Sequence, residues 1–469
     1  MCGIEFIVTT ASTTPTSKDG SETGPSRPDP GPKRRIAWIV AGSLVTGLVV
    51  GLLFVAGPFV PAEESEVTGA LLCGWALGWA MLAGLSARFS DQPQRWAAAP
   101  ALFMGVGGLL LLSFGSSVQP VLSWVWPPAL LVLVGWMIIR SRQLASRSRP
   151  WLLYPVFAAL VLASLGGGYE TVAEAAEANA YPMSGQLIDI GGHSLHLRCT
   201  GSGSPTVVLE PGGGGMSSDL GWIEPAVARD SHVCVYDRAG RGWSEPTDTP
   251  QDATQIATDL HTLLDRGNVP GPYVLAGHSF GGLYVLTFAA LYPDDVVGMV
   301  LVDSAAPASA ATPEVASTGE EGSYDLMGRV SALVSSSARL GLGRLIAQAD
   351  YGGLPPQSRD EARSRTATVG QARSTIDEYV QANSSSKAAA TLVDFADKPL
   401  VVLTAGVGSN AAWMTAQEDL ATLSTNSSHR VIAGAVHAAL LHDEHGAAAT
   451  TEAILDVLSS IWNDEPLAR

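Results

Sequence analysis

Five long apolar stretches in the first third of the chain restrict its fold more than any other feature of the sequence. They cover residues 36–60, 67–85, 97–113, 121–139 and 151–168, and none of them contains Asp, Glu, Lys or Arg. Each is long enough to cross the hydrocarbon core of a bilayer as a helix. Because a segment surrounded by lipid must pair its own backbone groups, the pattern predicts an all-α membrane region with five transmembrane helices at residues 36–168.

The positive charges between these stretches predict how the chain crosses the membrane. Lysine and arginine at residues 33–35 precede the first stretch, Arg88 and Arg95 follow the second, and four arginines at 140–149 separate the fourth from the fifth. Cytoplasmic loops of membrane proteins carry such an excess of Lys and Arg. A multi-pass protein of the cell membrane with a cytoplasmic N-terminus is therefore expected, and five crossings would place the remaining chain outside the cytoplasm.

Two shorter segments flank the membrane region. Residues 1–35 are rich in Ser, Thr, Pro and Gly, which is typical of a disordered tail, here on the cytoplasmic side. Residues 169–183 are predicted to be a linker to a globular domain at residues 184–469.

The motif Gly-His-Ser-Phe-Gly at residues 277–281 is the clearest chemical signal in that domain. A strand-forming run at 273–276 leads into it, and a helical pattern over 283–291 follows. A sharp turn between a strand and a helix lifts a serine hydroxyl out of the sheet and over the first N–H groups of the helix. Ser279 is therefore the candidate nucleophile.

Segments of β-forming residues alternate with helical patterns over the rest of the domain. Strands are predicted at residues 186–190, 194–199, 206–209, 232–236, 273–276, 298–302, 400–404 and 430–433. A long Ser- and Ala-rich insertion at about 305–397 separates the sixth strand from the seventh. An insertion of this length beside the candidate site is predicted to be a helical cap.

Three local motifs give the domain a resemblance to the α/β-hydrolase superfamily over residues 184–465. They are the turn around Ser279, the sequence VVLEPGGGG at 207–215, and the sequence VYDRAGRGWS at 235–244. The last is similar to a turn of the esterase and proline-iminopeptidase-like branch, except that Ala239 stands where that turn has arginine. The resemblance implies an α/β-hydrolase fold, with a mostly parallel eight-stranded sheet and a helical cap.

The resemblance also assigns partners to Ser279. The family has its catalytic histidine after the last strand, where this sequence has His437, and a neutral imidazole there can accept the serine proton. The usual position of the acid, after the seventh strand, has no carboxylate in this sequence. A minority of relatives carry the acid after the sixth strand, so Asp303 is favoured over Glu418 and Asp419, which follow the seventh.

An oxyanion hole is implied by the same resemblance. Its two donors would be the backbone N–H groups of Phe280, after the nucleophile, and of Gly213. Acyl transfer needs proton transfer and oxyanion binding, so neither a metal nor an organic cofactor is expected.

Two of the four cysteines are expected to lie close together. Cys199 and Cys234 stand near the ends of the second and fourth predicted strands, which are neighbours in the sheet order of the superfamily. A disulfide between them is favoured over two buried thiols if the domain faces an oxidising compartment.

Two classes of function fit these motifs. The first is a membrane-anchored serine hydrolase that cleaves an ester, a thioester or an amide of a small-molecule acyl substrate through an acyl-enzyme and a Ser-His-Asp triad. The alternatives are a ligand-binding or receptor-like membrane protein with a hydrolase-like sensor domain, or an acyltransferase. A binding module does not need an intact Ser279–His437 pair, which favours the hydrolase. The formal net charge of −17 argues against nucleic acid as a partner.

Overall fold

Five long helices form the N-terminal region of the computed structural model, which describes residues 32–144, 153–247, 249–307 and 326–467. They are α1 (Pro32–Ala56), α2 (Glu64–Phe89), α3 (Ala98–Phe114), α4 (Gln119–Leu144) and α5 (Tyr154–Ala180). With the short turns that flank α3, all five are long and apolar enough to cross a membrane. The prediction of an all-α region with five candidate membrane-spanning helices is confirmed.

Two segment boundaries differ from the prediction. Of the tail predicted at residues 1–35, residues 1–31 lie outside the described residues, and residues 32–35 already belong to α1. The linker predicted at 169–183 is mostly helical, because α5 continues to Ala180. Alanine and glutamate, both strong helix formers, make up most of residues 170–180.

Close helix packing in this region depends on small residues. A Cβ added to Gly74 of α2 would lie 2.3 Å from the Cα of Gly51 in α1, and one on Gly78 would lie 3.0 Å from the Cα of Gly47. Glycines four residues apart on both helices let the two backbones approach, an arrangement that is common in pairs of membrane helices. Large apolar side chains lie on the outer surface, among them Trp38, Leu102, Val132 and Leu162.

The C-terminal domain contains an eight-stranded sheet. Its strands are β1 (Gln186–Asp189), β2 (Ser194–Thr200), β3 (Thr206–Glu210), β4 (Val233–Tyr236), β5 (Tyr273–His278), β6 (Val296–Val302), β7 (Leu400–Val407) and β8 (Ser427–Val436). Their order in space is β1-β2-β4-β3-β5-β6-β7-β8. The pairs β1–β2 and β2–β4 are antiparallel and the remaining pairs are parallel. Each strand overlaps a predicted one, and the prediction of a mostly parallel eight-stranded sheet is confirmed.

Eleven further helices in the described residues surround this sheet. They are α6 (Ile223–Val227), α7 (Ala253–Arg266), α8 (Phe280–Leu291), α9 (Leu326–Ser335), α10 (Leu342–Ala349), α11 (Pro356–Thr366), α12 (Val369–Val380), α13 (Ala382–Ala389), α14 (Ala411–Ala421), α15 (Ala439–His442) and α16 (Glu444–Asn463). Helices α7 and α8 pack on one face of the sheet, and α6 and α16 pack on the other. Successive residues of β3 enter the two cores in turn, since Val208 faces the first core and Val207 and Leu209 face the second.

Helices α9 to α13 form the cap between β6 and β7. They lie within the insertion predicted at about 305–397, of which residues 308–325 are outside the described residues. The cap also contacts the N-terminal five-helix region, because Arg344 of α10 pairs with Glu170 of α5 at 2.9 Å.

Candidate active site

Ser279 stands at the turn from β5 to α8, at the carboxyl edge of the parallel strands. Its φ and ψ are 51° and −121°, a strained conformation that persists only when the surrounding structure enforces it. The turn is tight, because a Cβ on Gly281 would lie 2.5 Å from the carbonyl oxygen of Glu210. The backbone N–H of Ser279 donates to the carbonyl of Val302 at 3.1 Å, which ties the turn to β6. The strand, turn and helix expected around the motif are all present.

Asp303 and His437 contact each other at the same edge of the sheet. Asp303 follows β6 and His437 follows β8, and Oδ2 of Asp303 is 2.6 Å from Nδ1 of His437. The other carboxylate oxygen accepts from the indole N–H of Trp413 at 2.7 Å and from the backbone N–H of Ala405 at 3.2 Å. Because Nδ1 of His437 is engaged, Nε2 is the ring atom that can accept a proton.

Burial and hydrogen bonding shift the pKa of Asp303 in opposite directions. Burial alone would raise the pKa of this carboxyl group, but the hydrogen bonds from His437 and Trp413 outweigh it and hold the pKa below its ordinary value. Asp303 is therefore a carboxylate at neutral pH. The alternative acids, Glu418 and Asp419, are exposed on α14, and within the described residues neither contacts His437.

His278, the residue before Ser279, contacts His437. The ring centroids of His278 and His437 are 4.4 Å apart, and Nε2 of His278 lies 3.2 Å from the carbonyl oxygen of His437. Burial lowers the pKa of His278 to about 3, so this ring stays neutral. In the described part of the chain no hydrogen bond joins the Ser279 hydroxyl directly to His437.

The glycine loop, residues 211–215, packs directly on this turn. A Cβ on Gly212 would lie 3.2 Å from the Cβ of Ser279, and one on Gly213 would lie 2.6 Å from the ring of Phe280. Among the described residues, the backbone N–H groups of Gly213 and Phe280 donate to no protein acceptor. Both N–H groups are thus able to bind an oxygen atom of a ligand.

Arg238 fixes the position of the glycine loop through a set of buried contacts. Its guanidinium donates to the carbonyl oxygens of Pro211 at 3.0 Å and Gly212 at 2.8 Å. The same group pairs with the carboxylate of Glu210, at the end of β3, and with that of Glu378 at 2.7 Å. The side chain of Arg238 therefore fixes the backbone that would form part of an oxyanion hole.

Glu378 brings the cap into contact with the glycine loop. It belongs to α12 and is buried, and its Oε2 accepts from the backbone N–H of Gly214 at 3.0 Å. Arg238 and Arg241 both pair with its carboxylate, at 2.7 and 2.8 Å. Burial alone would raise the pKa of Glu378, but the two guanidinium groups hold it below its ordinary value. This buried carboxylate therefore stays charged.

The roles of Glu210 and Glu378 were not predicted from the sequence. Burial raises the pKa of Glu210 to about 7, although Arg238 and Tyr236 oppose that shift. A carboxylate that ends an apolar strand signals a buried charge in need of a partner. Glu378 has no such local signal, because its partners lie about 140 residues away in the sequence.

Asp237 stabilises the turn at residues 237–244. Its buried carboxylate is 2.8 Å from Nδ1 of His196 and accepts from the backbone N–H groups of Ser217 and Trp243 at 2.7 and 3.2 Å. Burial alone would raise the pKa of Asp237, but the hydrogen bond from His196 lowers it below its ordinary value. These contacts give Asp237 a structural role.

Cys199 and Cys234 face each other on the antiparallel strands β2 and β4. They are directly opposed in the register, with Cα atoms 4.1 Å apart and sulfur atoms joined at 2.03 Å. Together with His232 they form a group of three potential metal ligands. Because both sulfur atoms are committed to the disulfide, this group offers one ligand, which is too few for a structural zinc site.

Comparison with known proteins gives matches to the C-terminal domain. The family model for the alpha/beta hydrolase fold matches residues 205–442, which is just over half of the chain. The chain is 38% identical over 114 residues to "Putative carbamate hydrolase RutD" of Pseudomonas savastanoi pv. phaseolicola, covering 24% of this chain and 43% of that protein. It is 35% identical over 127 residues to "Probable transporter efuK" of Hormonema carpetanum, covering 25% of this chain and 18% of that protein.

These curated relatives are matched over less than half of their own length. Among solved structures, an epoxide hydrolase, CorEH, is similar with a TM-score of 0.47 and 19% sequence identity, covering 59% of this chain and 99% of that one. Because the family model spans more than half of its residues, the chain belongs to the alpha/beta hydrolase fold family.

Proposed function

We propose that the chain is a membrane-anchored serine hydrolase that cleaves an ester, a thioester or an amide of a small-molecule acyl substrate. The proposal rests on the 2.6 Å contact between Asp303 Oδ2 and His437 Nδ1 at the sheet edge that carries Ser279. A serine, an imidazole and a carboxylate in this relation are the parts of an acyl-transfer triad. Family membership and the match to a protein named as a carbamate hydrolase support hydrolysis as the reaction.

In the first half of the proposed reaction, the Ser279 hydroxyl attacks the substrate carbonyl and Nε2 of His437 takes its proton. The carbonyl oxygen becomes negative, and the N–H groups of Phe280 and Gly213 bind it. Asp303 stabilises the imidazolium through Nδ1. The tetrahedral intermediate then collapses, and the leaving group receives the proton from His437.

In the second half, water replaces the leaving group. His437 takes a proton from the water molecule, which attacks the acyl-enzyme at the same carbonyl carbon. The second tetrahedral intermediate releases the acid, and Ser279 recovers its proton. These steps use side chains and backbone of this chain and water.

We also propose that the hydrolase domain lies outside the cytoplasm and the N-terminus inside. An odd number of candidate spans precedes the domain. The Lys- and Arg-bearing segments at residues 33–35, 88–95 and 140–149 then all fall on the cytoplasmic side. The Cys199–Cys234 disulfide supports this orientation, because disulfides persist in oxidising compartments.

An active-site-directed probe tests the nucleophile. A fluorophosphonate is expected to label the purified full chain and not the Ser279→Ala variant, whereas Ser459→Ala, which removes an exposed serine of α16, should be labelled as the wild type is. A panel of p-nitrophenyl esters of increasing chain length would then measure turnover. A folded wild-type protein that is not labelled, or equal labelling of Ser279→Ala, contradicts the proposal.

A further inference from the structure

Helix α10 of the cap presents apolar side chains outward and a charged side chain inward. Leu342, Leu345 and Ile346 are 48%, 70% and 72% exposed, at the i, i+3, i+4 spacing of one helix face. Arg344, between them in sequence, is 2% exposed. A helix that faces water has the opposite arrangement, so this apolar face fits a nonpolar environment.

Arg344 of α10 binds α5 at the border between the apolar and polar parts of α5. Its guanidinium binds Glu170 through Nε and Nη2 at 3.0 and 2.9 Å, and also pairs with Glu177. The apolar run of α5 ends just before Glu170. A Cβ on Gly166 would lie 2.2 Å from the carbonyl oxygen of Leu340, so the turn before α10 touches α5 within that run. Helix α10 therefore lies beside α5 at the point where the apolar part of that candidate span ends.

Exposed aromatic side chains mark the same end of the five-helix region. Neighbouring helices run antiparallel, so the ends of α1, α3 and α5 and the starts of α2 and α4 share one side. Phe59 after α1, Phe114 at the end of α3, Trp124 near the start of α4 and Tyr169 of α5 are all exposed there. Aromatic residues, Trp and Tyr above all, gather where a membrane meets water.

Helix α12 connects this end of the membrane region with the candidate active site. Arg373 donates to the carbonyl oxygen of Ala62, between α1 and α2, at 2.9 Å. Six residues later, the ring centroid of Tyr379 is 5.1 Å from that of Phe280, the residue after Ser279. Six residues of α-helix rise about 9 Å. The contact with Phe280, beside Ser279, therefore lies about 9 Å along α12 from the contact with this end of the five-helix region.

We propose that α10 lies in the bilayer interface beside the hydrolase domain, with Leu342, Leu345 and Ile346 among the lipids, and that the substrate is an acyl amphiphile of that leaflet. A lipid leaflet is the occupant that continues the apolar surface of α5 onto α10. The substrate class rests on the proposed hydrolase function, whereas the position of α10 does not. An acyl ester or thioester of this kind keeps its chain in the bilayer and its carbonyl at the interface.

Fluorescence on the full chain in phosphatidylcholine nanodiscs tests the position of α10. The probe is an NBD group on Ile346→Cys, with Cys2 and Cys73 replaced by serine so that it labels one site. The matched control is Val393→Cys, an 82% exposed apolar position after α13, whose neighbour Leu392 packs on the hydrolase core. Brominated phosphatidylcholine should lower the NBD emission at position 346 about twofold or more, because an apolar helix face in the interface lies among the acyl chains. The emission at position 393 should not change.

Absent quenching at 346, or equal quenching at both positions, overturns the proposal. A second copy of the chain could cover this face instead. In that case the emission would be blue-shifted, brominated lipid would not quench it, and it would vary with the number of chains per disc. This result would also overturn the proposal. The melting temperature of each variant checks that the fold is retained, which is expected because both positions are exposed.

Turnover tests the substrate class. The measured quantity is the ratio of the rate on a long-chain monoacylglycerol in vesicles to the rate on p-nitrophenyl acetate in water. Leu345→Ser with Ile346→Ser should lower this ratio about tenfold, since two apolar side chains no longer favour the lipid. An unchanged ratio overturns the substrate inference. Cleavage of p-nitrophenyl acetate without cleavage of the monoacylglycerol also overturns it. If the wild type cleaves neither compound and a fluorophosphonate does not label Ser279, the proposed hydrolase function fails, while the quenching measurement still decides the position of α10.

Discussion

The carboxylate of Glu378, in the cap, accepts a 3.0 Å hydrogen bond from the backbone N–H of Gly214, in the glycine loop. The preceding residue, Gly213, carries an N–H group proposed for the oxyanion hole. Arg238, which donates to the carbonyl oxygens of the same loop, is paired with this glutamate. The position of the loop therefore depends on a residue of the cap, and the cap is part of what would stabilise the transition state.

Glu378→Gln is expected to lower kcat about 10- to 100-fold with a smaller change in KM, because oxyanion contacts act mainly in the transition state. The side chain keeps its volume but loses the charge that holds Arg238 and Arg241. Steady-state kinetics on a soluble ester measure the effect, with Glu418→Gln, an exposed glutamate of α14, as control. An unchanged kcat would remove Glu378 from this positioning role.

Loss of the buried charge should also lower stability. Removing one partner of a buried ion pair costs about 3–5 kcal/mol, because the other charge is left uncompensated. The melting temperature of Glu378→Gln should therefore fall clearly below that of the control. A kcat that falls in proportion to the amount of unfolded protein would indicate a structural effect alone.

Asp303→Asn is expected to lower kcat/KM by about 10³- to 10⁴-fold. Asparagine keeps the shape of the side chain but no longer stabilises the imidazolium of His437 through Nδ1. Glu418→Gln and Asp419→Asn should change the rate little, because both residues are exposed on α14. The reverse pattern in an ester hydrolysis assay would move the role of the acid to α14.

The sequence predicts those parts of the molecule that have local causes. Uninterrupted apolar stretches identify the five helices, and the residues around Ser279 identify the turn, because each signal lies within about twenty residues of one segment. The pairing of Asp303 with His437 was expected only through the resemblance to the superfamily, which places the histidine after the last strand and, in a minority of relatives, the acid after the sixth.

Contacts that join distant segments left no comparable signal in the sequence. Glu378 meets Arg238 across 140 residues, and Arg344 meets Glu170 across 174. In the sequence, Glu378 and Arg344 look like ordinary exposed residues of a helix, although both are buried in the fold. The charged turns at the end of α5 are held by the same residue of the cap, Arg344.

The buried His196–Asp237 pair predicts a loss of stability at alkaline pH. Burial alone would lower the pKa of His196, but its hydrogen bond and charge interaction with Asp237, together with a hydrogen bond to the carbonyl oxygen of Ser184, outweigh it and raise the pKa above its ordinary value. The folded state therefore holds the proton more tightly than the unfolded state. The stabilisation is fully present below the unfolded pKa of about 6.5 and is lost as pH rises through the folded pKa.

His196→Asn should remove this dependence. Between about pH 6 and pH 9, the melting temperature of the wild type should fall more than that of the variant, which lacks the titrating group. Replacing His445, an exposed histidine of α16, by asparagine is the matched control and should leave the wild-type slope unchanged. Parallel curves for wild type and His196→Asn would contradict the prediction.

The disulfide between Cys199 and Cys234 is expected to stabilise the hydrolase domain by about 4 kcal/mol, because it closes a loop in the unfolded chain. The loop spans 35 residues. Serine at both positions should lower the melting temperature, whereas Cys73→Ser, at the free cysteine of α2, should not. Maleimide labelling of Cys199 and Cys234 in the denatured, unreduced wild-type protein would show that the bond is absent.

The hydrolase domain is expected to face away from the cytoplasm. Five candidate spans precede it, and this count places residues 33–35, 88–95 and 140–149, with their Lys and Arg, on one side. If α3 and α4 made a single crossing, the segments 88–95 and 140–149 would lie on opposite sides, against the charge bias. Alkaline phosphatase fused after residue 183 should therefore be active, and a cytoplasmic reporter fused there should be silent. Protease added to intact spheroplasts should remove the domain, and protection until lysis would reverse the topology.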